Sequence, residues 1–179
     1  MDVYHKGDLS GEEKLDPNGR DSSEVLGYLN SLCDHRFKTN ILLINCGLHD
    51  IKRLEPAGPH QVEPGTYRQN LKAMVSLFPS LAEHMLWTST TPVDDAIHNN
   101  REHAFLRFNA DVLHYNQIAQ TVMQAARIPI IDLNRFTLQI GEPESLYQDH
   151  VHFQEEISRL QGEYIAGYLQ LISSTWEQR

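Results

Sequence analysis

Asn40-Ile41-Leu42-Leu43-Ile44-Asn45-Cys46-Gly47-Leu48-His49-Asp50-Ile51-Lys52-Arg53 is the stretch on which the reading of this chain turns. Its apolar run, Ile41 to Ile44, shows no polar alternation, as expected of a strand buried on both faces in a parallel sheet covered by helices. The run is too short for a helix core and stops near Gly47, which permits a sharp backbone turn. His49 and Asp50 then fall just beyond the carboxyl end of the strand, the edge at which open α/β sheets bind ligands.

Outward from that strand the chain alternates. Before it, a helix is predicted from Ser22 to Asp34, with Asp21 and Glu24 at capping-box spacing and Val25, Leu26, Leu29, Leu32 and Cys33 on one face. After it comes a loop, Leu54 to Gly65, with Pro56, Pro59 and Pro64, predicted to lie over the active edge. Thr66 and Gln69 repeat the capping-box spacing and open a second helix carrying Leu71, Met74, Val75, Phe78 and Leu81, which Pro79 should kink or shorten. Met85-Leu86-Trp87 reads as a strand. A polar segment, Asp94 to Arg107, precedes a third helix with Val112, Leu113, Ile118, Val122 and Met123 facing the core. Ile128 to Leu133 is the next strand, followed by a short helical piece near Phe136. The last helix places Ile157, Leu160, Tyr164, Tyr168 and Leu171 on one face. Val3 and Tyr4 read as the end of a short strand at the start of the chain. This order of strands and helices predicts a parallel α/β sheet.

At 179 residues the chain is long enough for one domain with a real core. A net charge of −9, with scattered basic residues, argues against a nucleic-acid partner. No apolar stretch is long enough to span a bilayer. The first residues carry no basic-then-apolar pattern of a signal peptide. The two cysteines, Cys33 and Cys46, read as free buried thiols, which suits a reducing cytoplasm.

A second stretch bears chemistry: Asp149-His150-Val151-His152, on a loop just before the terminal helix. A carboxylate three residues before a histidine can turn toward the ring, orient it and stabilise its charged form, as a general base requires. The same residues allow another chemistry. His150 and His152, with Asp149, His49 and Asp50, are nitrogen and oxygen donors suited to zinc.

Gly47-Leu48-His49-Asp50 after a strand, with Asp149-x-x-His152 before the terminal helix, resembles the SGNH (GDSL-type) hydrolases. Asn18-Gly19-Arg20-Asp21-Ser22-Ser23 is similar to the glycine block of that family, and Thr90-Thr91-Pro92-Val93 to its strand exit before the substrate-side loop. The resemblance covers the chain from about residue 17 onward. It implies a flavodoxin-like three-layer α/β/α sandwich, here as a single domain over residues 1–179, and a serine ester hydrolase acting on a small-molecule ester without a cofactor. Asp149 and His152 match the acid and base of the triad. Gly19 matches the backbone donor of the oxyanion hole. His49 stands where the family has Asn, and an imidazole can donate one hydrogen bond there, given a neighbour such as Asp50 to fix its tautomer.

The family's nucleophile block has no full counterpart. Gly7-Asp8-Leu9-Ser10 imitates Gly-Asp-Ser but inserts Leu9, and no apolar strand precedes it, so the nucleophile stays unassigned with Ser10 as its candidate. The family's first, central strand is expected to be missing. Three repairs follow: the strand around Val3 fills the gap, a homodimer completes the sheet, or the sheet is rebuilt without it. Two readings stand beside the esterase: the metal-dependent hydrolase using His150 and His152, and a non-catalytic binding relative of the family.

Overall fold

The structure, a computed structural model, describes residues 18–100 and 105–176. The strand proposed around Val3 and the Ser10 motif lie outside these residues. The described chain runs α1 (Ser22–Asp34), β1 (Thr39–Ile44), α2 (Pro64–Leu81), β2 (Ala82–Thr88), α3 (Asp95–Asn99), α4 (Asn109–Ala125), β3 (Ile130–Ile131), α5 (Leu133–Ile140), α6 (Pro143–Leu146) and α7 (Glu155–Trp176).

The three strands pair in the order β1-β2-β3, all parallel, with Ile44 opposite Trp87 and Trp87 opposite Ile130. This is the helix-flanked parallel sheet that the alternation predicts. Because successive side chains on a strand point to opposite faces, the sheet has two distinct sides. Leu42, Ile44, Met85 and Trp87 point into the larger core, where α1, α2 and α4 contribute Leu29, Leu71, Met74, Tyr115 and Met123. On the other side His84 stacks on Trp176 of α7, ring centroids 3.6 Å apart. There α5 packs on α7 through the Phe136–Tyr164 stack and the bond from Gln161 Nε2 to Thr137 Oγ1.

Several expectations are corrected. β1 is not buried on both faces: Leu43, which points away from the larger core, is 39% exposed, and the strand has no partner on its outer edge among the described residues. The strand buried on both faces is the second half of β2, where Met85, Leu86, Trp87 and Thr88 are all buried. α2 starts at Pro64, not Thr66, with Glu63 as N-cap, because proline at the first helical position has its φ already set and needs no N–H partner there. Pro79 is carried inside that helix, which runs on to Leu81. The last strand is only Ile130–Ile131, because Asp132 caps α5 by accepting from Arg135 N–H. Leu113 and Leu171 are 51% and 69% exposed; Tyr115 and Ala119 take the place in the core assigned to Leu113, and Gln161 is the buried neighbour of Ile157 on α7. Asp21 does cap α1, accepting from the N–H groups of Ser23 and Glu24. No helix of the described residues is long and apolar enough to cross a membrane.

Candidate active site

β1 delivers the chain to Gly47, whose φ of 146° lies in the region that side chains disfavour. The backbone is clamped on either side of this turn. Cys46 O accepts from Tyr67 Oη at 2.9 Å and from Thr90 Oγ1 at 3.2 Å, and Ile51 N–H returns to Gly47 O. Cys46 itself is free and buried, and burial, with the charges of Asp50 and Asp21, pushes its thiol well above the ordinary range, which is the opposite of what a thiolate nucleophile needs.

The turn sends its two polar residues to different jobs. Asp50 is fully buried, and both its carboxylate oxygens accept from Ser22 N–H, at 3.0 and 3.1 Å. Its own carbonyl accepts from Val62 N–H. Asp50 therefore does not orient His49 as expected; it anchors the start of α1 and the loop before α2, and so holds the Asn18–Asp21 segment against the turn. Burial raises its carboxyl to about 6.

His49 takes its partner from the glycine block. Arg20 N–H donates to Asn18 Oδ1 at 2.9 Å, which turns the Asn18 amide nitrogen toward His49 Nε2, 3.3 Å away. An amide NH₂ only donates, so Nε2 accepts and the ring proton sits on Nδ1. Burial first, then the charges of Lys52 and Arg107, lowers His49 to about 4, so the ring is neutral at pH 7. Next to Asn18, the Gly19 N–H has no hydrogen-bond partner among the described residues. Two donors, the Gly19 N–H and the His49 Nδ1–H, thus belong to neighbouring pieces of backbone.

The opposite shifts at Asp50 and His49 make a test. A raised carboxyl pKa favours folding at low pH, and that stability is lost as pH rises from 3.8 through about 6. A lowered imidazole pKa acts the other way, and its stability is lost as pH falls from 6.5 through about 4. Asp50→Asn removes only the first effect. The variant's stability relative to the unsubstituted protein is therefore expected to rise between pH 4 and pH 7, by at most about 3 kcal/mol, in urea melts at the two pH values. A difference independent of pH would show that Asp50 is not held with a raised pKa.

The second loop is built around its own carboxylate. Asp149 Oδ1 accepts from the N–H groups of Val151 and His152, each at 2.8 Å, and Oδ2 lies 2.8 Å from His152 Nδ1. The slight desolvation of Asp149 would raise its pKa, but these bonds and the His152 charge outweigh it and hold the carboxyl well below the usual range. An ionised carboxylate only accepts, so His152 carries its proton on Nδ1 and leaves the Nε2 lone pair open. The ring is 75% exposed, and no hydroxyl among the described residues bonds Nε2.

This loop is closed on itself and pinned to the sheet edge. Tyr147 and Phe153 form an antiparallel bridge with stacked rings 4.9 Å apart, and Gln148 N–H donates to His152 O. Tyr147 Oη donates to Pro92 O at 2.8 Å, which ties the loop to the exit of β2. His98 Nδ1 contacts His150 O at 3.2 Å. Asn99 grips Arg107 by both its N–H and its C=O, and Arg107 Nε donates to Leu48 O at 2.7 Å. α3 and Arg107 thus form a hydrogen-bonded chain from His150 O to Leu48 O, the residue before His49.

The metal-ligand set is not assembled. Asp149 contacts both His150 and His152, but the two rings stand edge to face 6.3 Å apart, while His49 is engaged by Asn18 and Asp50 by Ser22. No group of three or more His, Cys, Asp or Glu among the described residues is arranged to hold an ion.

The sequence matches no protein-family model, and no curated protein matches it. Solved structures do match. A lipase/acylhydrolase from Enterococcus faecalis is 21% identical with a TM-score of 0.64, over 84% of this chain and 71% of that one. A putative acylhydrolase from Bacteroides fragilis is 19% identical with a TM-score of 0.65, over 88% and 72%. A member of the lipolytic G-D-S-L family from Veillonella parvula is 15% identical with a TM-score of 0.61, over 84% and 75%. The fold is that of the SGNH (GDSL-type) hydrolases. Within this SGNH fold, the sequence alone pointed to Asp149, His152, Gly19 and His49. It missed Asn18 as the residue that sets the His49 tautomer, Tyr147 as the pin of the second loop, and Arg107. Asn18 adjoins Gly19, which is the only signal that would have found it; Arg107 stands in a polar segment with no motif.

Proposed function

We propose that this chain is an ester hydrolase of the SGNH type. Asp149 orients His152, His152 takes the proton of a nucleophilic hydroxyl and later returns it to the leaving alcohol, and the Gly19 N–H and His49 Nδ1–H stabilise the tetrahedral oxyanion. The observation that carries this reading is the Asp149–His152 pair: a carboxylate satisfied by two backbone N–H groups, bonded to Nδ1, with Nε2 open. Such a pair on an SGNH fold supports acyl transfer better than any other arrangement in the described residues. The substrate class is a small ester; the polar segment 94–107 favours a hydroxylated acyl or sugar ester over a long lipid.

The test is covalent trapping. A fluorophosphonate reacts with a hydroxyl that a histidine has activated, and mass spectrometry then identifies the labelled residue. One equivalent of label is expected on the unsubstituted protein and none on His152→Ala. Label on Ser10 would assign the nucleophile. A protein that binds small esters but takes no label would favour the non-catalytic relative.

A further inference from the structure

The segment after α3 brings two cations together beside His49. Arg53 and Leu106 form an isolated antiparallel bridge, with N–H to O distances of 3.0 and 2.7 Å in the two directions, and this backbone pairing sets Lys52 against Arg107. Both cations lie on one aromatic ring: Lys52 Nζ is 4.7 Å and the Arg107 guanidinium 4.9 Å from the centroid of Phe105. Like charges this close repel unless something negative sits between or beside them.

Nothing described fills that role. The other buried or half-buried arginine of this region, Arg53, is paired with Asp111. Arg107 is 4% exposed, yet no carboxylate among the described residues pairs with it or with Lys52. Only Nε of its guanidinium is used, by Leu48 O, and its two terminal nitrogens have no hydrogen-bond partner among the described residues. The charge of Asp21 does reach Lys52 and His49. Its oxygens are already committed to the N–H groups of Ser23 and Glu24 and to Gln61 Nε2. A desolvated arginine without a counter-ion is costly, and burial does depress its pKa to about 10. A bound carboxylate would offset that cost.

We propose that Arg107 and Lys52, sharing the Phe105 ring next to His49, form a subsite for a carboxylate carried by the ester substrate. The inference rests on the esterase reading for the word substrate and names its class: an acidic ester. Two features select a carboxylate. The unused end of the Arg107 guanidinium offers two parallel N–H donors, which match a planar carboxylate in bidentate fashion. The chain as a whole carries −9, which disfavours polyanions and leaves a local cation pair suited to one negative group. The carboxylate can sit at the end of a short acyl chain or on the sugar that bears the ester, and the experiment separates these.

The experiment is equilibrium binding without turnover, by titration calorimetry and by NMR of the His49 ring, so that it does not depend on the nucleophile. Succinate stands for the acyl side and glucuronate for the sugar side, with succinamide and glucose as neutral counterparts. At least one acid is expected to bind and shift the His49 resonance, its neutral counterpart not to. Lys52→Gln is expected to weaken that binding about tenfold, and raising salt to weaken it further. Arg107→Gln should abolish binding; should that variant fail to fold, Lys52→Gln carries the test alone. Equal binding of acids and neutral counterparts, no binding of either acid, or binding unchanged in Lys52→Gln would overturn the proposal. Acid binding in a protein that takes no fluorophosphonate would keep the subsite and refute the esterase. Fluorophosphonate labelling with no preference for acids would do the reverse.

Discussion

Replacing His152 with alanine is expected to lower hydrolysis of a short-chain nitrophenyl ester by about a thousandfold or more, with little change in folding stability. The rate effect follows from removing the proposed base; the small stability effect follows from the ring's 75% exposure. Asp149→Asn is the sharper variant. The asparagine oxygen can still accept from the Val151 and His152 N–H groups, but its NH₂ would then donate to His152 Nδ1. That forces the ring proton onto Nε2, where the lone pair is needed, so a loss of the same order, about 10³ to 10⁴, is expected. The two losses should not add in the double variant, since each disables the same unit. Full activity in Asp149→Asn would remove Asp149 from the mechanism even if His152→Ala were inactive.

The second large effect is structural. Gly47→Ala is expected to destabilise the fold by about 2 to 4 kcal/mol, read as a lowered midpoint in chemical denaturation. A Cβ at this position would stand 2.5 Å from Thr90 Oγ1 and 3.4 Å from Tyr67 Oη, at a φ of 146°. Thr90 cannot step aside: Asn116 holds both its N–H and its C=O, and Asn134 Nδ2 donates to the same carbonyl. Removing the hydroxyl should therefore relieve part of the strain. Thr90→Ala alone loses the bond to Cys46 O, worth about 1 kcal/mol, but in the Gly47→Ala background it should cost less or even stabilise. Strict additivity of the two would mean that the backbone, not the contact, accounts for the whole effect.

What the sequence made legible here is whatever depends on near neighbours. The alternation of strands and helices, the cap at Asp21, the turn at Gly47 and the placement of Asp149 and His152 before α7 all rest on residues a few positions apart. What it hid depends on distant ones. Ile41 to Ile44 reads as doubly buried because the run is apolar, yet coverage is set by which elements pack on each face, and Leu43 finds little over it. Asp50 is next to His49 in sequence and so seemed its natural partner. The actual partner is Asn18, which is 31 positions away, while Asp50 turns to Ser22, 28 away. Leu113 and Leu171 show the same limit from another side: an apolar residue at helical spacing faces the core only if something packs there. The pairing of Lys52 with Arg107 depends on a backbone bridge between loops and left no pattern in the sequence.

The Tyr147–Phe153 bridge has a bearing on how this protein would fail. Every bond that shapes the Asp149–His152 pair lies within the short closed loop, whereas the ties that seat this loop in the fold run through Tyr147 Oη to Pro92 O and through His98 to His150 O. The Asp149–His152 pair is in that sense a self-contained cartridge, seated in the fold by a few long-range fastenings. On warming, the fastenings should loosen before the cartridge does, so that function decays while the histidine still carries the magnetic signature of a carboxylate-bound ring.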